Sequence, residues 1–291
     1  MTKIAFYGLG SMGFGMAESL LRGGLSVTGH DVNEDALTRF RNLGGGDTAT
    51  SAADIIIICV VNAAQTATVL DSILTDVSPG AVVISCATVP PEFARTSAAR
   101  VMEKGGHYLD APISGGAVKA AAGALTIMAS GTPAAFDAAA PALEAMAEKV
   151  FRLGDEAGAG SAMKVVNQLL AGVHIAAAAE AITFGMKMGV APRNCLEVIS
   201  ECAGSSWMFE NRGPHIVDGD YTPHSAVEIF VKDLGIVSDI ARAERFSAPL
   251  AASALQQFVA ASGMGLGGED DAAVAKVYAR NAGLKLPGEA D

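Results

Sequence analysis

The stretch Lys3-Ile4-Ala5-Phe6-Tyr7-Gly8-Leu9-Gly10-Ser11-Met12-Gly13 decides the fold. A short apolar run meets Gly8-x-Gly10-x-x-Gly13, and a helical pattern follows from Phe14 to Arg22. The order is strand, tight glycine turn, helix. Gly8 is read as the turn, Gly10 as a close approach of main chain to a pyrophosphate, and Gly13 as close helix-on-strand packing. Leu9, Ser11 and Met12 complete the loop. The first helical N–H groups then point at the phosphates, where the helix dipole favours negative charge. A chain with 33 glycines produces this spacing by chance, so the flanking strand and helix carry the reading.

Outward from that turn, short β-rich runs alternate with helical patterns. Strands are expected at Ile4–Tyr7, Ser26–His30, Ile55–Val61, Ala81–Ser85, Tyr108–Ala111, Leu125–Ala129 and Val150–Arg152. The runs Ile55–Val61 and Ala81–Ile84 lack alternation, as parallel strands covered on both faces do. Helical segments such as Ala94–Lys104 and Ala134–Glu148 fall between them. The pattern predicts an α/β domain with a Rossmann-type doubly wound sheet over residues 1–160. The glycine-rich stretch Gly154–Gly160 reads as the junction. Beyond it no strand is expected: an all-α domain over 161–291 begins with a long linking helix at about 161–189 and continues to about Ala282. The tail from Lys285, with Pro287-Gly288, is expected to be loose.

At 291 residues, with 51% hydrophobic and 18% charged residues, the chain buries a large core. A net charge of −11 argues against nucleic acid and anionic membranes as partners, and an anionic substrate then needs a local cluster of cations or N–H groups. The four cysteines lack CxxC spacing, so neither a metal site nor a disulfide framework is expected and a reducing cytoplasm is the simplest compartment. Thr2-Lys3 leads straight into the first strand, as in a chain without a secretory signal. Val165–Met186 is long enough to span a membrane, but Asn167, Gln168, His174 and Glu180 within it point to a buried helix. Nearly all-apolar helices need partners, so a homo-oligomer, dimer or tetramer, is expected.

Asp31, eighteen residues past Gly13, follows the second strand. A carboxylate there accepts hydrogen bonds from the adenosine ribose and repels the 2′-phosphate of NADP, which favours NAD; a solvated loop Asp is the alternative. Four further segments bear chemistry. Lys164, Asn167 and Gln168 share one helix face, with Lys164 about 60° from Asn167 and about 40° from Gln168. A Lys ammonium on an apolar face is costly to desolvate, so a lowered pKa and proton exchange near neutral pH are expected; a Lys snorkelling at a helix start meets the same spacing. Asp110-Ala111-Pro112-Ile113-Ser114-Gly115-Gly116 offers a hydroxyl beside two unobstructed N–H groups, a nest suited to a carboxylate or simply a turn. Phe230-Val231-Lys232-Asp233-Leu234 places a Lys–Asp pair in an apolar region, and Cys86-Ala87-Thr88 follows a strand on the nicotinamide side of the crevice.

In this order, the segments resemble the β-hydroxyacid dehydrogenase family over essentially the whole chain. The resemblance implies Lys164 as general acid/base and Asn167 as a substrate-orienting residue. It implies Ser114, Gly115 and Gly116 at the substrate carboxylate, with Lys119 adding positive charge nearby and Asp233 on the substrate side. Val61, Thr88 and Lys232 would join Gly8–Gly13 and Asp31 around NAD. Gln168 stands where many members have a second Asn, and Cys86-Ala87 replaces the commoner Ser-Ser or Ser-Thr. The segments SGGAVKAAAG, NQLLAGVHIAAAAEA, GSSWMFENRGPH and DGDYTPHSAVEIFVKDLG are similar to the branch acting on four-carbon sugar acids. That branch implies oxidation of a small anionic hydroxy acid such as L-threonate to its 2-oxo acid. Ser205, Ser206, Trp207, Glu210, Asn211 and Arg212 read either as partners for a polyhydroxylated substrate or as a polar subunit contact. The alternatives are 3-hydroxyisobutyrate oxidation, a semialdehyde reductase, and a non-catalytic NAD-binding module.

Overall fold

The computed structural model describes residues 1–46 and 49–289. The chain opens with β1 (Lys3–Tyr7), α1 (Gly13–Arg22), β2 (Ser26–His30) and α2 (Glu34–Asn42). It continues through β3 (Ile55–Ile58), α3 (Ala63–Ile73), β4 (Val82–Ser85), α4 (Pro91–Met102) and β5 (His107–Asp110). These five strands form one parallel sheet in the order β2-β1-β3-β4-β5. The order reverses at β1, so α1 and α2 pack on one face of the sheet and α3 and α4 on the other.

The isoleucine run of β3 shows how the sheet is held. Ile55 and Ile57 join a core with Met16, Leu20, Leu37 and Phe40 of α1 and α2. Ile56 and Ile58 join the other, with Leu70, Ile73, Ala98 and Val101 of α3 and α4. A strand buried on both faces has no polar side, and each such isoleucine stabilises the fold by roughly 1.5–3 kcal/mol. β3 ends at Ile58, not at the expected Val61. Its neighbours stop at Tyr7 and Ser85, so the chain beyond has no ladder to join, and Val61 is exposed.

A second sheet follows, built from β6 (Ile113–Ser114), β7 (Leu125–Ala129) and β8 (Ala147–Arg152), with α5 (Gly116–Ala122) and α6 (Pro133–Met146) between them. β6 and β7 are antiparallel, and β7 and β8 parallel. The doubly wound sheet therefore takes five of the seven expected strands. The last two lie in this smaller sheet, tied to β5 through the antiparallel bridge Asp110–Ser130. β8 starts three residues before the expected Val150: pairing with β7 overrides the helical propensity of Ala147-Glu148-Lys149.

The chain divides into two compact units, Met1–Lys164 and Val165–Asp291. The long helix α7 (Ala159–Lys187) has 29 residues, about 44 Å at 1.5 Å per residue. By length and composition alone it could cross a membrane, but half of its most apolar window is buried. It ends in a Schellman turn: Gly189 has φ +86°, its N–H donates to Met186 O, and Val190 N–H donates to Gly185 O.

Then come α8 (Pro192–Ser200), α9 (Trp207–Asp218), α10 (Val227–Ala243), α11 (Pro249–Ala261) and α12 (Val274–Ala282). Their core gathers Ile175, Ile182, Phe209, Leu234 and the stacked pair Phe230–Phe258, with ring centroids 5.2 Å apart. Among the described residues this second unit contains no strand. The tail departs from expectation as far as Glu289. Leu286 is buried in the helical core and Pro287 O lies against Gly219, so an apolar side chain pins a segment whose composition reads as loose. Ala290 and Asp291 lie outside the described residues.

Candidate active site

Parallel strands in register bring their carboxyl ends into one row: Tyr7, His30, Ile58, Ser85 and Asp110 are neighbours across the sheet. The residues that follow stand along this edge. Gly8 has φ +99°, and a Cβ there would lie 2.3 Å from Cys59 O; a Cβ on Gly13 would lie 1.8 Å from Gly8 O. Both positions exclude side chains by sterics. Gly10 differs: no heavy atom comes within 4 Å of its Cβ position, and Gly10 and Ser11 are exposed. That combination leaves open space over bare backbone at the start of α1, which fits a dinucleotide pyrophosphate. Asp31, directly after β2, accepts hydrogen bonds from Leu9 N–H (2.5 Å) and Asn33 N–H (2.8 Å), so its carboxylate is tied to the glycine turn. Val61 and Thr88 each lie three residues past a strand end, after β3 and β4. The Val61 N–H donates to Gln65 Oε1 at 2.9 Å.

The Ser114-Gly115-Gly116 turn closes β6 and starts α5. Gly115 and Gly116 have φ of +138° and +72°, and the Cβ position of Gly116 faces open space. Lys119 departs from its expected role. Its aliphatic stem crosses Gly115, but its ammonium sits 3.7 Å from Glu148, and both side chains are exposed. Its charge is matched there rather than left for Ser114, and such a surface pair contributes little stability.

The sequence reading gave Asp110 no role. In the structure it is fully buried, and its Oδ2 accepts hydrogen bonds from Gly158 N–H (2.9 Å) and Ser161 N–H (2.8 Å). Its Oδ1 accepts from Ser161 Oγ–H at 2.7 Å, while Ser130 Oγ accepts from Gly160 N–H at 2.9 Å. These acceptors satisfy donors that the first turn of a helix cannot pair internally. They also explain why α7 begins at Ala159, inside the glycine-rich stretch, instead of at Ser161. Gly160 must be small there, since a Cβ would lie 2.4 Å from Met128 O. Burial pushes the Asp110 carboxyl above its ordinary value, and the hydrogen bonds partly oppose that shift. Lys164 follows on the same helix and is buried, with 8% exposure.

The second unit carries a chain of side chains. Asn167 Nδ2 donates to Gln168 Oε1 at 2.8 Å, and Gln168 Nε2 donates to Asp233 Oδ2 at 2.5 Å. Lys232 Nζ lies 2.6 Å from Asp233 Oδ1. Gln168 and Asp233 are both buried. The position that departs from the family pattern is thus the middle link between Asn167 and the Lys232–Asp233 pair.

The polar segment before and within α9 is mostly consumed by structure. Ser206 caps α9 by accepting from Phe209 N–H at 3.0 Å, and Ser205 Oγ–H donates to Glu210 at 2.7 Å. Arg212, expected as a substrate partner, is buried: it donates to Asp271 through Nε (2.5 Å) and Nη2 (3.1 Å) and also bonds Asn211. Trp207 remains exposed. Burial pushes the Cys59 thiol up to about 12 and Cys86 well above its ordinary value, so neither offers a thiolate near neutral pH. His215, His224 and Asp270 bring ligand-type atoms within 4.8 Å of one another. The Asp270 oxygens already accept N–H bonds from His224, Ser225 and Ala272.

Residues 3–154 match the family model described as the NAD binding domain of 6-phosphogluconate dehydrogenase. Residues 158–278 match the one described as NAD-binding of NADP-dependent 3-hydroxyisobutyrate dehydrogenase. The chain is 51% identical to an L-threonate dehydrogenase of Cupriavidus necator, over 99% of each protein. It is 47% identical to an L-threonate dehydrogenase of Escherichia coli O6:H1, over 98% of this chain and 96% of that one. A solved structure of a 3-hydroxyisobutyrate dehydrogenase from Salmonella typhimurium is 48% identical, with a TM-score of 0.91 over 95% of this chain and all of that one.

Proposed function

Because the chain belongs to the β-hydroxyacid dehydrogenase family, the 3-hydroxyisobutyrate dehydrogenase-related NAD(P)-dependent enzymes, we propose that it oxidises L-threonate to the corresponding 2-oxo acid with NAD. One observation carries the substrate: 51% identity over 99% of both chains to an enzyme that acts on L-threonate. The preference for NAD rests on Asp31, whose carboxylate is fixed at the glycine turn and would repel a 2′-phosphate.

In this reading Gly8, Leu9, Gly10, Ser11, Met12 and Gly13 hold the pyrophosphate, and Val61, Thr88 and Lys232 serve the nicotinamide half. When bound, the dinucleotide supplies a hydride acceptor. The substrate carboxylate is held by Ser114 and the N–H groups of Gly115 and Gly116, with Asp233 on the substrate side. Asn167 orients the reacting hydroxyl. Lys164, neutral at the start of oxidation, takes the hydroxyl proton; in reverse its ammonium gives the proton back to the developing alkoxide. Loss of a positioned acid/base costs on the order of 10²–10⁴-fold in rate. Lys164→Ala is therefore expected to lose activity by that factor while still binding NADH. Near-normal turnover in that variant would sink the mechanism.

The naming of the Salmonella structure supports a second reading, 3-hydroxyisobutyrate as substrate. NADH formation measured with L-threonate, 3-hydroxyisobutyrate and glycerate, each with NAD and with NADP, separates the two. The expected result is the highest kcat/KM with L-threonate and NAD; a higher value with 3-hydroxyisobutyrate overturns the substrate assignment. A homo-oligomer completes the proposal, supported by Val166, Leu170, Ala177, Ala181 and Phe184, which leave one apolar stripe of α7 exposed. Light scattering on an eluting peak tests it: a mass near 29.5 kDa would exclude an oligomer. Four free cysteines suit a reducing compartment, which supports a cytoplasmic location.

A further inference from the structure

The chain Asn167–Gln168–Asp233–Lys232 has a direction that its chemistry forces. An ionised carboxylate only accepts hydrogen bonds. Asp233 is buried and forms an ion pair with the Lys232 ammonium at 2.6 Å. The Gln168 group facing it must therefore be the NH₂, and Gln168 Oε1 must face the other way. There it meets Asn167, which has to present its own NH₂ at 2.8 Å. Asn167 Oδ1 is left on the opposite side of its amide as an acceptor. Amide orientation is ordinarily ambiguous. Here a fixed charge two links away removes the ambiguity.

The helix approach that lets Gln168 reach α10 is also built in. Gly172, one turn beyond Gln168, lies against Leu234, the neighbour of Asp233; a Cβ on Gly172 would sit 2.8 Å from a Leu234 methyl. Lys164 stands one turn before Gln168 on the same helical face.

We propose that Gln168 is a positioning residue whose amide passes an orientation from Asp233 to Asn167, so that Asn167 offers its Oδ1 as acceptor to the proton-bearing groups of the reaction. An acceptor suits both the hydroxyl that gives up its proton and the ammonium that returns it. A reversed Asn167 would present N–H groups to these donors and repel an ammonium. The idea rests on the roles assigned to Lys164 and Asn167 under the proposed function.

Two variants test it, each with a readout that a merely structural role leaves unmoved. Gln168→Met keeps the volume and removes both hydrogen bonds. The expected result is a loss of about ten- to a hundred-fold in kcat/KM for L-threonate. The dissociation constant for NADH should stay within about twofold, because the Lys232–Asp233 pair is left in place. In ¹⁵N-asparagine-labelled protein, with only seven asparagines, the Asn167 side-chain resonance should shift.

Gln168→Glu gives the pH signature. Its carboxyl sits between Asp233 and Asn167, with Lys232 paired to Asp233 and Lys164 one turn back along the helix, and burial beside a like charge raises its pKa. Protonated, it donates to Asp233 and accepts from Asn167 as glutamine does. Its activity relative to wild type should therefore rise as pH falls. The proposal is overturned by wild-type kcat/KM in Gln168→Met, by an unmoved Asn167 resonance, or by a Gln168→Glu deficit that acid leaves unchanged. If wild-type protein oxidises no hydroxy acid, the proposed function falls, and the Asn167 resonance still decides the orientation.

Discussion

Two buried carboxylates, one in each unit, perform opposite jobs with the same chemical group. Asp110 meets neutral donors: two backbone N–H groups and the hydroxyls of Ser130 and Ser161. Asp233 meets a full positive charge, Lys232, and one amide, Gln168. The first sets where a helix starts, since α7 cannot begin at Ala159 without acceptors for its first turn. The second sets which way an amide faces. A carboxylate surrounded by dipoles builds backbone, whereas one anchored by a charge can pass orientation to side chains.

The largest effect should come from removing the first. Asp110→Ala leaves Gly158 and Ser161 N–H groups buried without acceptors, and each such group costs about 1–3 kcal/mol. A loss of roughly 3–5 kcal/mol in denaturant unfolding is expected, with lower activity because the start of the Lys164 helix loosens. A loss under about 1 kcal/mol would show that water replaces the carboxylate, and the contrast with Asp233 would collapse.

Asp233→Asn should do the reverse: a small change in unfolding free energy and a large one in rate. An amide at 233 no longer obliges Gln168 to present its NH₂, so the direction of the chain is lost while its shape is kept. A fall of about a hundredfold in kcat/KM is expected, with a melting temperature close to wild type. If stability and activity fell together, Asp233 would be a structural carboxylate like Asp110.

Asp110 also predicts a pH dependence. Its carboxyl is raised in the folded protein from the ordinary 3.8, with burial as the main cause. A raised folded value means that the stability this group contributes is fully present below the unfolded value and is lost as pH climbs through the folded one. Unfolding free energies of wild type and Asp110→Asn should therefore be compared upward from pH 3.8. Between the unfolded and folded values the wild type should lose ground at up to about 1.4 kcal/mol per pH unit. A wild type that gains on the variant over that range would reverse the assigned cause.

The two carboxylates also mark the limit of what the sequence reveals. The glycine turn was readable because each glycine answers a local need: Gly13 is excluded from having a side chain by Gly8, five positions away. The isoleucines of β3 are equally local. Asp110 lies 48 residues from Gly158 and Gln168 lies 65 from Asp233, and no periodicity links such partners. That Lys164 and Asn167 share one helix was legible from the sequence pattern, but the acceptor that starts that helix was not. Arg212 shows the cost: beside Trp207 and Asn211 it read as a substrate or subunit contact, because nothing nearby announces that Asp271, 59 residues on, takes its charge.

Asp31 is a third carboxylate, partly exposed, and should give the smallest effect. It accepts N–H bonds from Leu9 and Asn33, as Asp110 accepts from α7, yet its environment is open to solvent. Two unit charges 4 Å apart repel by about 4 kcal/mol near a protein surface and by about 1 kcal/mol in bulk water. A 2′-phosphate beside Asp31 falls between these limits, so discrimination against NADP should amount to a factor of tens rather than thousands. Asp31→Ser removes the charge and keeps an oxygen for Leu9. The expected outcome is a rise of about tenfold in the NADP-to-NAD ratio of kcat/KM, with folding unaffected. An unchanged ratio would mean that Asp31 only braces the turn, as Asp110 braces α7, and that the choice of dinucleotide lies elsewhere.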